Sequence, residues 1–225
     1  MKQQLLVYEL GLQPYSRVLE LQRHLARRRI TGELDDDLLL LVEHEPVVTL
    51  GRSTRSQSLP LSAAALAEKG IGVYEVERGG DVTFHGPGQL VGYPILDLRA
   101  HREDLHWYLR SLESALIGGL DTLGIEAGPN PGLTGVWSRG RKIASIGIHV
   151  KQWITYHGFA LNVTTDLSYF DLIVPCGIRD VVMTSVAMES GRTDTALWTD
   201  TRQAVLQAFS RVFNLEPIEA EPALP

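Results

Sequence analysis

Leu105, Leu109, Leu112, Leu116, Leu120 and Leu123 recur at spacings of three and four. That repeat is one apolar face of a helix, so it predicts a helix from about Glu103 to Leu123, stopped at Gly124. Val18, Leu21 and Leu25 make a similar stripe within Pro14 to Arg29, and Val205, Leu206, Phe209, Val212 and Phe213 within about Thr199 to Phe213. A shorter alanine-rich helix is expected from Ser62, a good N-cap, to Lys69 before Gly70. Leu38 to Val42 is an unbroken apolar run, the pattern of a strand covered on both faces. Leu5–Glu9, Pro46–Gly51, Val73–Glu77, Leu90–Leu98, Gly135–Trp137, Lys142–Val150 and Ile154–Val163 also read as extended, with Ser138–Arg141 as a hairpin turn. Strands cluster in the second half with no helix between them. The expected class is therefore α/β of the α+β kind: a mixed, largely antiparallel sheet flanked by helices. No repeat or linker divides the chain, so residues 1–215 are expected to form a single domain. The Pro-, Glu- and Ala-rich tail, 216–225, is expected to be loose.

Composition narrows the classes. With 225 residues and 44% hydrophobic positions the chain can bury a core. A net charge of −6 argues against general nucleic-acid binding, which needs a basic face. No apolar stretch is long enough to span a membrane, and the start, MKQQLLVYELG, lacks the apolar region of a secretory signal. One cysteine and no signal point to a reducing cytoplasm. Arg27, Arg28 and Arg29 read as cations complementing a helix end, and Asp35, Asp36 and Asp37 as a solvated turn.

Cys176 lies in Ile-Val-Pro-Cys-Gly-Ile, residues 173–178. Pro175 and Gly177 place it in a turn rather than along a strand or helix, which leaves a reactive thiol and an inert packing thiol both open. Three further segments carry polar groups among small residues. Residues 78–89, Arg-Gly-Gly-Asp-Val-Thr-Phe-His-Gly-Pro-Gly-Gln, read as a glycine-rich loop between strands and hold four glycines besides Arg78, Thr83, His85 and Gln89. No Lys-Ser or Lys-Thr closes the run and a strand follows it, so it is neither a P-loop nor a dinucleotide fingerprint. In Lys142–Gly147, the small Ala144, Ser145 and Gly147 leave room beside Lys142, whose alternative is a stem snorkelling to the surface. In Tyr156–Val163, Gly158 and Ala160 leave space on one face. His85, His149, His157 and Cys176 lack a tight ligand pair such as Cys-x-x-Cys, which argues against a metal site. On the residues alone, Lys142, His85 and His149 all stay open as the thiol's partner.

Together the segments 78–89, 142–147, 157–163 and 173–178, with Glu43–Arg52 ahead of them, resemble the lipoyl(octanoyl) transferases. The likeness runs from about residue 40 to 180. It implies a fold like that of the biotin and lipoate protein ligases and a catalytic acyltransferase domain. It further implies that Cys176 carries the acyl group and that Lys142 lowers its pKa. Arg78, Gly79, Gly80, Asp81, Val82, Thr83, Phe84 and His85, with Ser145, Ile146, Gly147, Gly158, Phe159 and Ala160, would line the acyl site. His149 is a further candidate for proton handling, and backbone N–H groups near Gly177 or Gly147 are candidate oxyanion donors.

The implied reaction is ping-pong transfer of an octanoyl group from the phosphopantetheine arm of acyl carrier protein to a lysine of apo lipoyl domains. Acceptors would be those of the 2-oxoacid dehydrogenase complexes and the glycine cleavage H protein. No cofactor, ATP or metal is required, and Arg139 and Arg141 could guide acidic partners. Two rival readings stay open: an ATP-dependent ligase of the same fold, indifferent to Cys176, and a non-catalytic binder of lipoyl domains or acyl chains.

Overall fold

The computed structural model describes residues 3–174 and 181–221. In chain order it contains β1 (Gln3–Gln13), α1 (Tyr15–Thr31), β2 (Asp37–His44), β3 (Val47–Leu50), α2 (Ala63–Ala67) and β4 (Gly72–Glu75). Next come β5 (Val82–His85), β6 (Gln89–Ile95), α3 (Leu105–Thr122), β7 (Gly128–Asn130) and β8 (Leu133–Ser138). The last elements are β9 (Arg141–Lys151), β10 (Ile154–Asn162), α4 (Val186–Ser190), α5 (Ala196–Phe213) and β11 (Leu215–Glu219). An eight-stranded sheet runs β11-β1-β2-β6-β10-β9-β8-β7, and a smaller one runs β4-β3-β5. In the large sheet β1 is parallel to β2 and β11, and every other neighbour is antiparallel. This is the mixed, largely antiparallel sheet with flanking helices that the pattern predicted.

Both faces of β2 are covered, which is why its sequence is an unbroken apolar run. Leu38, Leu40 and Val42 pack on Val18, Leu21 and Leu25 of α1. Leu39 and Leu41 face the opposite layer, where Leu112, Leu116 and Leu120 of α3 meet Val205, Phe209 and Phe213 of α5. Leu38, Leu39 and Leu40 are all 0% exposed. Truncating any one to alanine costs about 2–5 kcal/mol. The side chain of Asp104 caps α3 by accepting from the N–H groups of His106 and Trp107. Gly32 ends α1 at φ 74°. Arg139 at φ 48° and Gly140 at φ 77° make the tight turn that joins β8 to β9. Among the described residues no helix is long and apolar enough to cross a membrane.

Three expectations need correction. The tail from Glu216 is not loose as far as Glu219: it forms β11, paired with Gln3–Val7. Its Pro217 is tolerated because an edge strand needs no donor on its outer side. Asp37 is not in a solvated turn. It is 0% exposed, accepts from Arg29 at 2.8 Å and lies 2.7 Å from His101 Nε2. Finally, the glycine-rich segment is not all loop, because its Val82–His85 stretch pairs with β3 as β5.

Candidate active site

A cavity of about 470 Å³ opens where the glycine-rich segment and β5 meet β9 and β10. Arg78, Gly80, Asp81, Val82, Thr83, His85, Lys142, Ser145, Ile146, Gly147, Gly158, Phe159 and Ala160 all line it. Three expected residues do not. The N–H of Gly79 donates to Ile148 O at 2.8 Å and docks the segment on β9. Phe84 turns to the opposite face of β5 and stacks on Tyr169 at 4.6 Å. His149 donates from Nδ1 to Glu77 O at 3.0 Å and packs on Tyr156. Cys176 lies outside the described residues.

Arg78 shapes the near wall. It is 7% exposed, and its guanidinium reaches Thr49 Oγ1 at 3.1 and 2.9 Å and Thr49 O at 2.7 Å. Its backbone O accepts from Arg52 N at 3.0 Å. The segment can lie against β9 only because residue 147 is glycine. A Cβ there would sit 2.9 Å from Gly79 O and 3.2 Å from Arg78 Cδ.

Lys142 does not snorkel. It is 2% exposed, and its Nζ stands 5.5 Å from the centroid of the Trp137 ring. Residues directly opposite on antiparallel strands share a face, and Trp137 pairs with Lys142. A desolvated contact of this kind contributes about 2 kcal/mol. The backbone of Lys142 is clamped as well. Its N–H donates to Val182 O at 2.8 Å, and its O accepts from Thr184 N at 2.9 Å.

The far wall carries the rings of Tyr15, His85, Tyr93 and His157, with His44 packed behind them. His44 donates from Nδ1 to Gln13 O at 3.0 Å, so its Nε2 accepts from the Tyr93 hydroxyl at 2.8 Å. Gln89 Nε2 donates to Phe84 O and to Asn162 Oδ1, which leaves Gln89 Oε1 as the acceptor for His85 Nδ1–H at 2.8 Å. Both tautomers follow from these acceptors. Burial lowers the pKa of His44 to about 4, and burial with the nearby His44 lowers that of His85 to about 3. Burial raises Tyr15, whose ring stacks on His85 at 6.1 Å, and Tyr93 above the usual phenol range. His157 adopts φ 57°, a conformation that strains a non-glycine residue by about 1–3 kcal/mol. Burial lowers its pKa too. Its Nε2 stands 3.8 Å from Glu77, which His157 and the bidentate Arg23 hold below the usual carboxylate range.

A family model described as "Lipoyl protein ligase A/B catalytic domain" matches residues 14–210. The chain belongs to that family. It is 47% identical over 218 residues to an octanoyltransferase of Nostoc punctiforme, covering 96% of this chain and 92% of that one. It is 50% identical over 208 residues to an octanoyltransferase of Solibacter usitatus, with 92% of each covered. The chain is thus an enzyme of the acyltransferase class. Among solved structures, a bi-partite lipoate protein ligase from Thermoplasma acidophilum superposes with a TM-score of 0.76 at 18% identity, covering 99% of this chain and 88% of that one. The biotin protein ligase of Aquifex aeolicus gives 0.51 at 13%, over 95% and 70%. These likenesses place the fold with the lipoate and biotin protein ligases.

Sequence reasoning missed several cavity residues of this transferase: Tyr15, Ser53, Arg55, Tyr93, Trp137 and Val181. His157 also lines it. Trp137 was within reach, because the tight turn at Arg139-Gly140 sets the register that puts it opposite Lys142. Tyr15 and Tyr93 carry no local signal. Arg141, expected at a docking face, is instead bonded at 2.8 Å to Glu189, itself 1% exposed. Arg139 lies 4.0 Å from the same carboxylate.

Proposed function

We propose that this enzyme moves an octanoyl group from the phosphopantetheine arm of an acyl carrier protein to a lysine of apo lipoyl domains, through a thioester on Cys176. The acceptors would be the lipoyl domains of 2-oxoacid dehydrogenase complexes and the glycine cleavage H protein. One observation carries the reading. The buried Lys142 lines the same cavity as Val181, five residues after Cys176 in the chain, and its backbone is bonded to the next residue, Val182. On the other side of Cys176, Val174 N donates to Ser58 O at 2.9 Å, and Ser58 Oγ to the cavity residue Asp81 at 2.7 Å. Both tethers of the cysteine segment therefore adjoin the cavity that holds the cation.

In this reading the Lys142 ammonium stabilises the Cys176 thiolate. Sγ attacks the thioester carbonyl carbon of the donor; the C–S bond to the carrier breaks and the carrier thiolate leaves, taking a proton from Lys142. The acyl group rests on Cys176. The neutral amine of an acceptor lysine then attacks the same carbon, gives a proton to Lys142 and forms an amide as the thiolate departs. His85 is a weak base for either step, because burial and the nearby His44 lower its pKa and favour the neutral ring. Phe159, Ala160 and Ile146 offer apolar wall for the acyl chain, and Arg55 at the exposed rim offers charge to an acidic partner.

The test is transfer from octanoyl carrier protein to an apo lipoyl domain, followed by mass, with and without ATP. Transfer without ATP that is lost in Cys176→Ser supports the reading. Transfer requiring ATP and free octanoate, and surviving Cys176→Ser, would replace it with a ligase. Binding of the lipoyl domain without turnover would replace it with a non-catalytic binder.

A further inference from the structure

We propose that Gly135 and Trp137 of β8 are positioning residues that set where the Lys142 ammonium sits. The proposal rests on the role given to Lys142 above. Gly135 has φ 132°, in the region that favours glycine. A Cβ at this position would lie 2.8 Å from Lys142 Cε and 3.3 Å from Nζ, besides 2.6 Å from Ala144 O. The missing side chain is therefore the space that the end of the lysine stem fills. The strand is held in that place from behind. Gly135 N–H donates to Glu113 Oε1 at 3.1 Å, and Glu113, 2% exposed on α3, takes Arg110 at 2.5 Å on its other oxygen. The β8–β9 register shifts between Val136 and Trp137, so the strand is irregular beside the lysine. Trp137 then presents its ring to Nζ at 5.5 Å. With the backbone of Lys142 clamped by Val182 and Thr184, its stem has Gly135 against its end and an aromatic ring beside the charge. A side chain at 135 or loss of the ring moves the cation while leaving it in the protein.

The enzyme has one cysteine, so iodoacetamide alkylation followed by intact mass reports on Cys176 alone. The measurement is its rate against pH for the wild type, Lys142→Ala, Gly135→Ala, the Lys142→Ala/Gly135→Ala double variant, Trp137→Leu and Trp137→Phe, with circular dichroism as the check on folding. Lys142→Ala is expected to move the midpoint up towards the ordinary thiol value near 8.5, and Gly135→Ala to move it the same way with the lysine still present. Alkylation near pH 7 then falls about tenfold. The double variant should match Lys142→Ala, because Gly135 acts only through the lysine. Trp137→Phe should keep more of the wild-type rate than Trp137→Leu. A folded Gly135→Ala with the wild-type profile, or a double variant shifted beyond Lys142→Ala, overturns the role of Gly135. Equal profiles for Leu and Phe at 137 overturn that of Trp137, and this pair decides the matter if Gly135→Ala does not fold. If Lys142→Ala itself leaves the profile unmoved, the role of Lys142 fails and the positioning with it. A profile moved by Lys142→Ala but by neither β8 residue overturns the positioning alone.

Discussion

Acidification should destabilise this enzyme through His44 and His85, and the loss can be sized. His44 is 0% exposed and His85 6%, and their pKa values fall to about 4 and about 3 from an ordinary 6.5. Between those values and 6.5 the unfolded chain binds more protons than the native one. Stability is therefore full above pH 6.5, is lost progressively as the pH falls below 6.5, and stops falling only once the folded values are passed. At pH 5, about 1.5 pH units below the ordinary value, each histidine contributes a loss of about 2 kcal/mol. The pair together remove about 4 kcal/mol between pH 7 and pH 5, a large part of a typical domain's stability. The assay is urea unfolding at a series of pH values for the wild type, His44→Gln and His85→Gln. Each substitution should lower stability at pH 7 yet cut about 2 kcal/mol from the loss between pH 7 and pH 5. Equal pH slopes in all three proteins would refute the assignment of buried neutral rings.

Other substitutions test the framework around the site. Asp37→Asn should cost about 3–5 kcal/mol in urea unfolding, because it leaves Arg29 buried without its counter-charge. Transfer per folded molecule should hold, since Asp37 does not line the cavity. Thr49→Val removes the hydroxyl that two Arg78 nitrogens share and should lower stability by about 1–3 kcal/mol. It should also raise KM for the acyl donor more than it lowers kcat. Gly147→Val should lower the transfer rate at least tenfold while the far-ultraviolet dichroism persists, since its Cβ would meet Gly79 O at 2.9 Å; wild-type turnover would show that the close approach is not needed.

The parts legible in the sequence were those with a local cause. The leucine repeat of α3, the two-sided run of β2 and the tight turn before β9 each follow from a few neighbouring residues. The glycine-rich segment and the stretches around Lys142 and Gly158 were also visible, and the fold brings most of their residues to one cavity. What escaped depends on distant partners. Asp37 looks like a turn residue until Arg29 and His101 close on it. β11 looks like a loose acidic tail until it finds the free edge of β1. Tyr15 enters the cavity from the first turn of α1, 127 positions before Lys142, and His44 gains its neutral state from burial that no spacing encodes. Phe84 and His149 sit inside telling motifs yet do not line the cavity, because distant partners hold them elsewhere: Phe84 stacks on Tyr169, and His149 bonds Glu77 O.

The central claim is that the acyl group passes through Cys176, and intact-protein mass tests it most directly. The enzyme is incubated with octanoyl carrier protein and no acceptor, as wild type and as Cys176→Ala. A hydroxylamine-sensitive adduct of one octanoyl group on the wild type alone is the expected result. An unmodified wild type that still transfers octanoyl once the lipoyl domain is added would contradict the acyl-enzyme.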